Sequence, residues 1–190
     1  MPDDDAPREE NHKDDAGASE AKISDPVAAA VVEKFPGTVF NDSHGQSVVY
    51  VDKASWHDVT AFLRDEQQFT QCRDVTVVDH LVDEHRLAVL GVTPERFEVV
   101  ANYLSHPRNV RIRTIAEVSD DDPTIASITD LHPGMSFGER EAYDMYGVTF
   151  EGHPDLTRIL MPDDWVGYPL RKDDAPGRVP VAFKGDPSPR

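Results

Sequence analysis

Three carboxylates and a guanidinium crowd into six positions of this chain: Glu139, Arg140, Glu141 and Asp144. On a helix, Glu141 and Asp144 are three apart, share a face and have the types needed for a general acid and base. Arg140 and Asp144, four apart, equally suit an ordinary surface ion pair. Just upstream, Gly134-Met135-Ser136-Phe137-Gly138 has the Gly-x-Ser-x-Gly form of a nucleophile elbow. That elbow needs a buried strand before it and a helix after it. Pro133 bars a central strand at that place. The only later histidine, His153, lies nine residues past Asp144, too close for the third member of such a triad. Ser136 is better read as the N-cap of a helix.

Other chemistries lack their residues. The eight histidines are scattered, with no His-x-x-x-His or Cys-x-x-Cys spacing for a metal. Cys72 is the single cysteine, which excludes an internal disulfide and a self-contained iron–sulfur cluster. No glycine-rich nucleotide loop occurs.

The elements that position these residues follow from pattern. Residues 1–24 carry almost no large apolar side chain and read as a disordered acidic tail. A helix is expected over residues 27–35, capped by Asp25 and opened by Pro26. Two short strands, 38–41 and 47–51, flank the turn Asp42-Ser43-His44-Gly45. A second helix covers 55–65, with Ser55 and Asp58 as a capping pair and Trp56, Val59, Phe62 and Leu63 at helical spacing.

Segments 75–79, 87–92, 97–104 and 110–118 are β-branched and read as strands joined by short connections, hence antiparallel. Phe97, Val99, Ala101 and Tyr103 share one face. Arg111 and Arg113 alternate with Val110 and Ile112, as a half-solvated strand or a docking surface. The fold class expected is α+β: a two-layer antiparallel sheet with helices on one face over residues 25–120, followed by a Pro-rich C-terminal arm. In residues 121–190 a short helical piece is expected at 125–131 and a further helix at 136–146, stopped by Gly147. Beyond, the recurrence of Pro154, Pro162, Pro169, Pro176 and Pro180, with Leu160, Met161, Trp165 and Tyr168, suggests an extended arm laid over another surface.

The charge balance, 36 acidic against 19 basic residues for a net of −17, excludes a nucleic-acid binder and a polybasic lipid-binding surface. Residues 1–25 hold nine acids and three bases, so much of the acidity belongs to the rest of the chain. No apolar run approaches the roughly 20 residues of a membrane span, and the start is unlike a signal peptide. The chain is therefore expected in the cytoplasm, reaching a membrane through a partner.

Residues 139–173 read Glu-Arg-Glu-Ala-Tyr-Asp-Met-Tyr-Gly-Val-Thr-Phe-Glu-Gly-His-Pro-Asp-Leu-Thr-Arg-Ile-Leu-Met-Pro-Asp-Asp-Trp-Val-Gly-Tyr-Pro-Leu-Arg-Lys-Asp. This stretch strongly resembles the signature of the 30 kDa subunit family of respiratory complex I, the proton-pumping NADH:quinone oxidoreductase. The likeness extends more loosely back to Val27 and includes the Asp79 strand and the Arg111 and Arg113 hairpin. Phe137 and His132 depart from it, standing where tryptophan is frequent, as does Tyr168, where histidine is common.

The resemblance implies a translocase subunit of the respiratory chain that binds no flavin, iron–sulfur cluster, quinone or metal itself and has no active site of its own. It implies a place on the cytoplasmic face of the cell membrane, peripheral through the complex. Its partners would be the quinone-pocket subunit and the subunit holding the last iron–sulfur cluster. Glu139, Arg140, Glu141, Asp144, His153, Arg158, Trp165, Tyr168, Arg171, Lys172 and Asp173 would form the interface, with charge pairs setting register and aromatic groups as anchors. Arg171→Ala would then leave the isolated domain folded but weaken the hold on the quinone-pocket subunit. The alternatives are the equivalent subunit of a membrane-bound hydrogenase-type complex, or an independent acid–base enzyme using Glu141 and Asp144.

Overall fold

The computed structural model describes residue 23 and residues 25–174; the expected acidic tail and the end of the arm lie outside the described residues. The chain opens with α1 (Pro26–Lys34), whose Asp25 cap accepts the Val27 N–H at 2.8 Å, with Pro26 in the first turn. The hairpin β1 (Val39–Ser43) and β2 (Gln46–Tyr50) follows. Asp42 accepts the Gly45 N–H at 2.8 Å and closes its turn. Next come α2 (Trp56–Asp65), β3 (Gln71–Asp79), β4 (Phe97–Ser105) and β5 (Val110–Val118). The last elements are β6 (Thr124–Ala126), α3 (Ser136–Tyr146) and β7 (Thr149–Glu151).

Five strands form one sheet in the order β1-β2-β5-β4-β3, and β6 pairs with β7 in a small second sheet. The α+β class and the helical layer on one face agree with the sequence. Phe97, Val99, Ala101 and Tyr103 of β4 are all turned inward. They meet Val31 from α1 and Trp56, Val59 and Leu63 from α2 in one buried cluster. Burial of the Tyr103 hydroxyl is met by Thr60, 2.8 Å away, which in turn donates to the Trp56 carbonyl at 2.9 Å. The same cluster includes Ile125, Ile128, Ala142, Val148 and Phe150, so the core continues past residue 120.

Several local expectations are corrected. The sheet is mixed: β2 runs parallel to β5, with Val48, Val49 and Tyr50 opposite Arg113, Thr114 and Ile115. The connection between them passes through α2, β3 and β4, long enough for a parallel crossover. Residues 87–92 form no strand: β3 pairs directly with β4, and the chain between them is held by side-chain contacts rather than by a ladder. The loop instead lies over the outer face, tied by Arg86 to the Glu95 carbonyl at 2.7 Å and to Glu98 at 2.6 Å, with Leu87 and Leu90 exposed. Residues 125–131 are not helical; their first residues form β6, since β7 offers a partner that a local pattern cannot reveal. Neither Ser55 nor Ser136 caps a helix by its side chain. A 3-10 turn precedes each helix and takes up the entry geometry.

Candidate functional site: the C-terminal arm and its anchors

α3 lies against the edge strand β3 at close range. A side chain at Gly138 would meet the Val75 carbonyl at 3.3 Å, a tight contact that glycine avoids. Residues 152–174 fold back on α3 and β3, and the charged residues of the signature hold them there.

Asp144 is the centre of the first anchor. Its carboxylate is fully buried, at 0 % exposure. Oδ2 accepts the backbone N–H groups of Ile159, Leu160 and Met161 at 3.0, 2.8 and 2.9 Å. Oδ1 accepts from Arg158 Nη1 at 2.6 Å. Burial pushes the carboxyl upward, but the Met161 N–H, the Arg158 guanidinium and the other two amides outweigh it and hold it at about 2. Three successive N–H groups turned on one oxygen form an anion-binding concavity built from the arm's own backbone.

Arg158 continues this anchor, donating to the Gly167 carbonyl at 3.0 Å and stacking 5.5 Å from the Tyr168 ring centre. Tyr168 also lies 4.9 Å from the Arg171 guanidinium and edge-on to Tyr143 at 6.4 Å. Arg171 Nε donates to the Tyr146 carbonyl. Leu170 N donates to the Met145 carbonyl at 3.0 Å, and Arg140 reaches the Thr157 and Arg158 carbonyls at 3.0 and 2.9 Å. At His153, Nδ1 accepts the Asp155 N–H at 3.0 Å, which assigns the proton to Nε2, 3.2 Å from the Ser136 carbonyl.

The second anchor centres on Arg96 and Asp79, at the start of β4 and the end of β3. Asp79 accepts from Arg96 and also receives the Lys172 N–H at 2.9 Å and the Leu81 N–H at 3.0 Å. Arg96 further binds Asp120, at 2.7 Å, and Asp173. The Asp79 pair, then Asp173, drives the Arg96 guanidinium further into its charged form.

Glu139 is also fully buried. Oε1 accepts the Ile128 N–H at 2.8 Å and Oε2 the Ser127 hydroxyl at 2.6 Å, so the carboxylate fastens the segment after β6. Burial raises its pKa, only partly offset by those two donors.

Of the sequence-chosen residues, Glu139, Arg140, Asp144, His153, Arg158, Tyr168, Arg171, Lys172 and Asp173 are thus engaged within the chain. Glu141 stays exposed, and Trp165 is half-exposed. The expected Arg140–Asp144 ion pair is replaced by Arg158–Asp144, because the arm brings a better-placed guanidinium. No acid–base pair results, since the buried Asp144 carboxylate already accepts four donors and Glu141 is exposed to solvent. Sequence reasoning missed Arg96 and left Asp79 without a role; an isolated charge at each strand end gives no spacing signal. Among the described residues, no group of three or more His, Cys, Asp or Glu is placed to hold a metal ion. No helix of the described residues is long and apolar enough to cross a membrane.

What the charged groups leave outside is apolar. Leu160 is 61 % exposed, Val166 92 % and Leu170 46 %, with Ile159 and Phe137 also open.

The fold and this latched arm define a small mixed α+β module closed by its own C-terminal segment. The chain belongs to the family described as respiratory-chain NADH dehydrogenase, 30 Kd subunit, whose sequence model matches residues 49–178. It is 39 % identical over 170 residues to an NADH-quinone oxidoreductase subunit from Salinispora arenicola, covering 85 % of this chain and 65 % of that one. The Geobacter sulfurreducens protein of the same name is 40 % identical over 158 residues, covering 80 % and 91 %. The chain thus spans about two-thirds of the first relative and nearly all of the second.

Among solved structures, the trypsin-resistant fragment (1-134) of Nqo5 is similar with a TM-score of 0.60 and 29 % identity, covering 68 % of this chain and 96 % of that fragment. A chain of the membrane-bound sulfane sulfur reductase, an archaeal respiratory membrane complex, reaches a TM-score of 0.55 over 77 % of this chain and 82 % of its own. At 21 % identity that likeness concerns the fold alone.

Proposed function

We propose that this chain is a cofactor-free docking subunit of the peripheral arm of a proton-translocating NADH:quinone oxidoreductase. It works on the cytoplasmic face of the membrane and supports the quinone-pocket subunit and the subunit holding the last iron–sulfur cluster. The observation that carries this reading is the division of labour in the arm. Buried charges fix its path, while Leu160, Trp165, Val166 and Leu170 remain outside. A segment held in shape before contact loses less conformational freedom on binding, so its apolar groups contribute more of their burial to affinity. Electron transfer belongs to the partners on this reading; the chain supplies shape and position.

In this reading the eleven signature residues act at the interface in two ways. Trp165 and the apolar residues beside it make contact, and the charged ones hold the contacting surface in register from beneath. The test is capture from detergent-solubilised membranes through an affinity tag on the full chain, with an NADH:quinone reductase assay on the eluate. Recovery of flavin and iron–sulfur subunits with NADH-driven quinone reduction is expected. Recovery of a nickel–iron hydrogenase without NADH oxidation would replace this reading by the hydrogenase-type one, and a clean monomer would overturn both.

A further inference from the structure

We propose that the outer face of the sheet carries a docking groove for the chain's own acidic N-terminal segment, residues 1–22. The proposal is independent of the function above, since it concerns the chain alone.

A groove of about 320 Å³ crosses the β2, β5 and β4 ends on the face away from the helices, lined by Gln46, Ser47, Arg73, Asn102, Arg111 and Arg113. Arg113 is held upright by Asn102 Oδ1 at 3.1 Å and Gln46 Oε1 at 3.4 Å, both neutral acceptors. Arg73 and Arg111 are exposed. Among the described residues none of these three arginines has a carboxylate in ion-pair range. Arg64, Arg86, Arg96, Arg158 and Arg171 each have one, while Arg108 and Arg140, which also lack one, stand singly outside this groove on Gln67 and on the Thr157 and Arg158 carbonyls. In a chain of net charge −17, three arginines clustered without a carboxylate form a localised positive site that calls for an anionic occupant.

Position selects which occupant. An adjoining groove shares Gln46, Ser47 and Arg111 with the first, and its rim includes Asp25 and Pro26, where the described chain begins its first helix. The segment leading to that rim, residues 1–22, holds eight Asp or Glu against three Lys or Arg. Its length, up to about 3.5 Å per residue when extended, is far more than the groove requires. Tethering places it there at an effective concentration on the order of millimolar, which an untethered acidic peptide would have to match. Arginine forks then have carboxylates to receive them, and Val48, Val100 and Ile115 lie beside the groove under Tyr50.

The experiment uses the full chain with a nitroxide label at Asn11→Cys. Cys72 does not compete for the label, because burial holds its thiol up at about 12. In two-dimensional NMR the amides of Gln46, Asn102 and Arg111 are expected to lose intensity, while those of Glu141 and Asp163 keep theirs. Raising the salt to about 0.5 M, where the screening length falls to a few ångström, should restore them. The double variant Arg111→Glu with Arg113→Glu should do the same, its fold checked by the dispersion of the core amides. Absent or uniform intensity loss overturns the proposal, as does loss that survives both salt and charge reversal. If the labelled segment leaves the groove untouched but added polyglutamate shifts the same amides, the groove serves an acidic segment of another chain and the proposal is wrong.

Discussion

Arg96 and Asp79 meet as a two-toothed pair, Nε to Oδ1 at 3.2 Å and Nη2 to Oδ2 at 3.0 Å, with the aspartate side chain fully buried. They join the residue before β4 to the last of β3, and through the Lys172 N–H they hold that part of the arm to the sheet. Phe97 lies beneath, with the Arg96 and Arg171 guanidinium groups 4.8 and 5.1 Å from its ring centre. Removing one partner of such a pair strands a buried charge. Arg96→Ala should therefore lower unfolding free energy by about 3 kcal/mol, read from the urea midpoint. A loss below about 1 kcal/mol would show that the Leu81 and Lys172 amides alone suffice for Asp79.

Asp144 gives the arm an acid limit. Its folded carboxyl sits at about 2, below the ordinary value of 3.8. Folding therefore favours the ionised form, and the resulting stability is complete well above pH 3.8 and disappears as pH falls through 2. The contribution is roughly 2 kcal/mol at neutral pH. Trp165 fluorescence followed on acidification should report the arm loosening between these values, and Asp144→Asn should flatten that transition. An unchanged acid profile in the variant would remove Asp144 from the role of anchor.

Gly147 closes α3 at φ +75°, and a side chain there would stand 2.5 Å from the Tyr168 ring. Gly147→Ala thus meets both backbone strain, about 1 kcal/mol, and a clash with the ring stacked between Arg158 and Arg171. The expected result is faster protease cleavage within residues 152–174, with the secondary structure of the sheet retained. Cleavage at the native rate would mean that Tyr168 moves aside without loosening the arm.

Glu139 separates shape from charge. Glu139→Gln keeps an acceptor for the Ile128 N–H and removes a buried carboxyl already pushed up by burial, so thermal stability should stay close to native. Because the raised carboxyl weakens folding as pH rises from the ordinary glutamate value through the folded one, the Gln variant should lose less stability over that range. Glu139→Ala orphans the Ile128 amide, at about 1–3 kcal/mol, while the Ser127 hydroxyl keeps Thr129 Oγ1 at 2.8 Å. Equal melting temperatures for the two variants would contradict this account.

Leu160→Asp with Trp165→Ala tests the outward side. The buried anchors are untouched, so the purified chain should keep its unfolding midpoint while capture of membrane partners falls by at least tenfold, about 1.4 kcal/mol of binding. Undiminished capture would place the contact surface elsewhere. Arg171→Ala is a less selective probe than its sequence suggests, because it also frees the Tyr146 carbonyl and the Tyr168 ring.

The amino-acid sequence by itself determined the elements whose information is local. Pro26 and Asp25 start α1, Asp42 and Gly45 turn the first hairpin, the alternation from Phe97 to Tyr103 assigns the inner face of β4, and Gly147 stops α3. The signature over residues 139–173 likewise carried the family in its residues. Tertiary structure alone decided which partners those elements found. Parallel pairing of β2 with β5 depends on the edge that β5 keeps open once it has paired with β4, the strand at residues 124–126 on its distant partner β7, and the loop at 87–92 on the side chains it meets over the sheet. The charges followed the same rule. Spacing along α3 matched Asp144 with Arg140, whereas a buried carboxylate binds whatever donors enclose it most completely, and these arrive from residues 158–161. Helical periodicity reaches only one turn, while desolvation acts between any two segments that fold into contact.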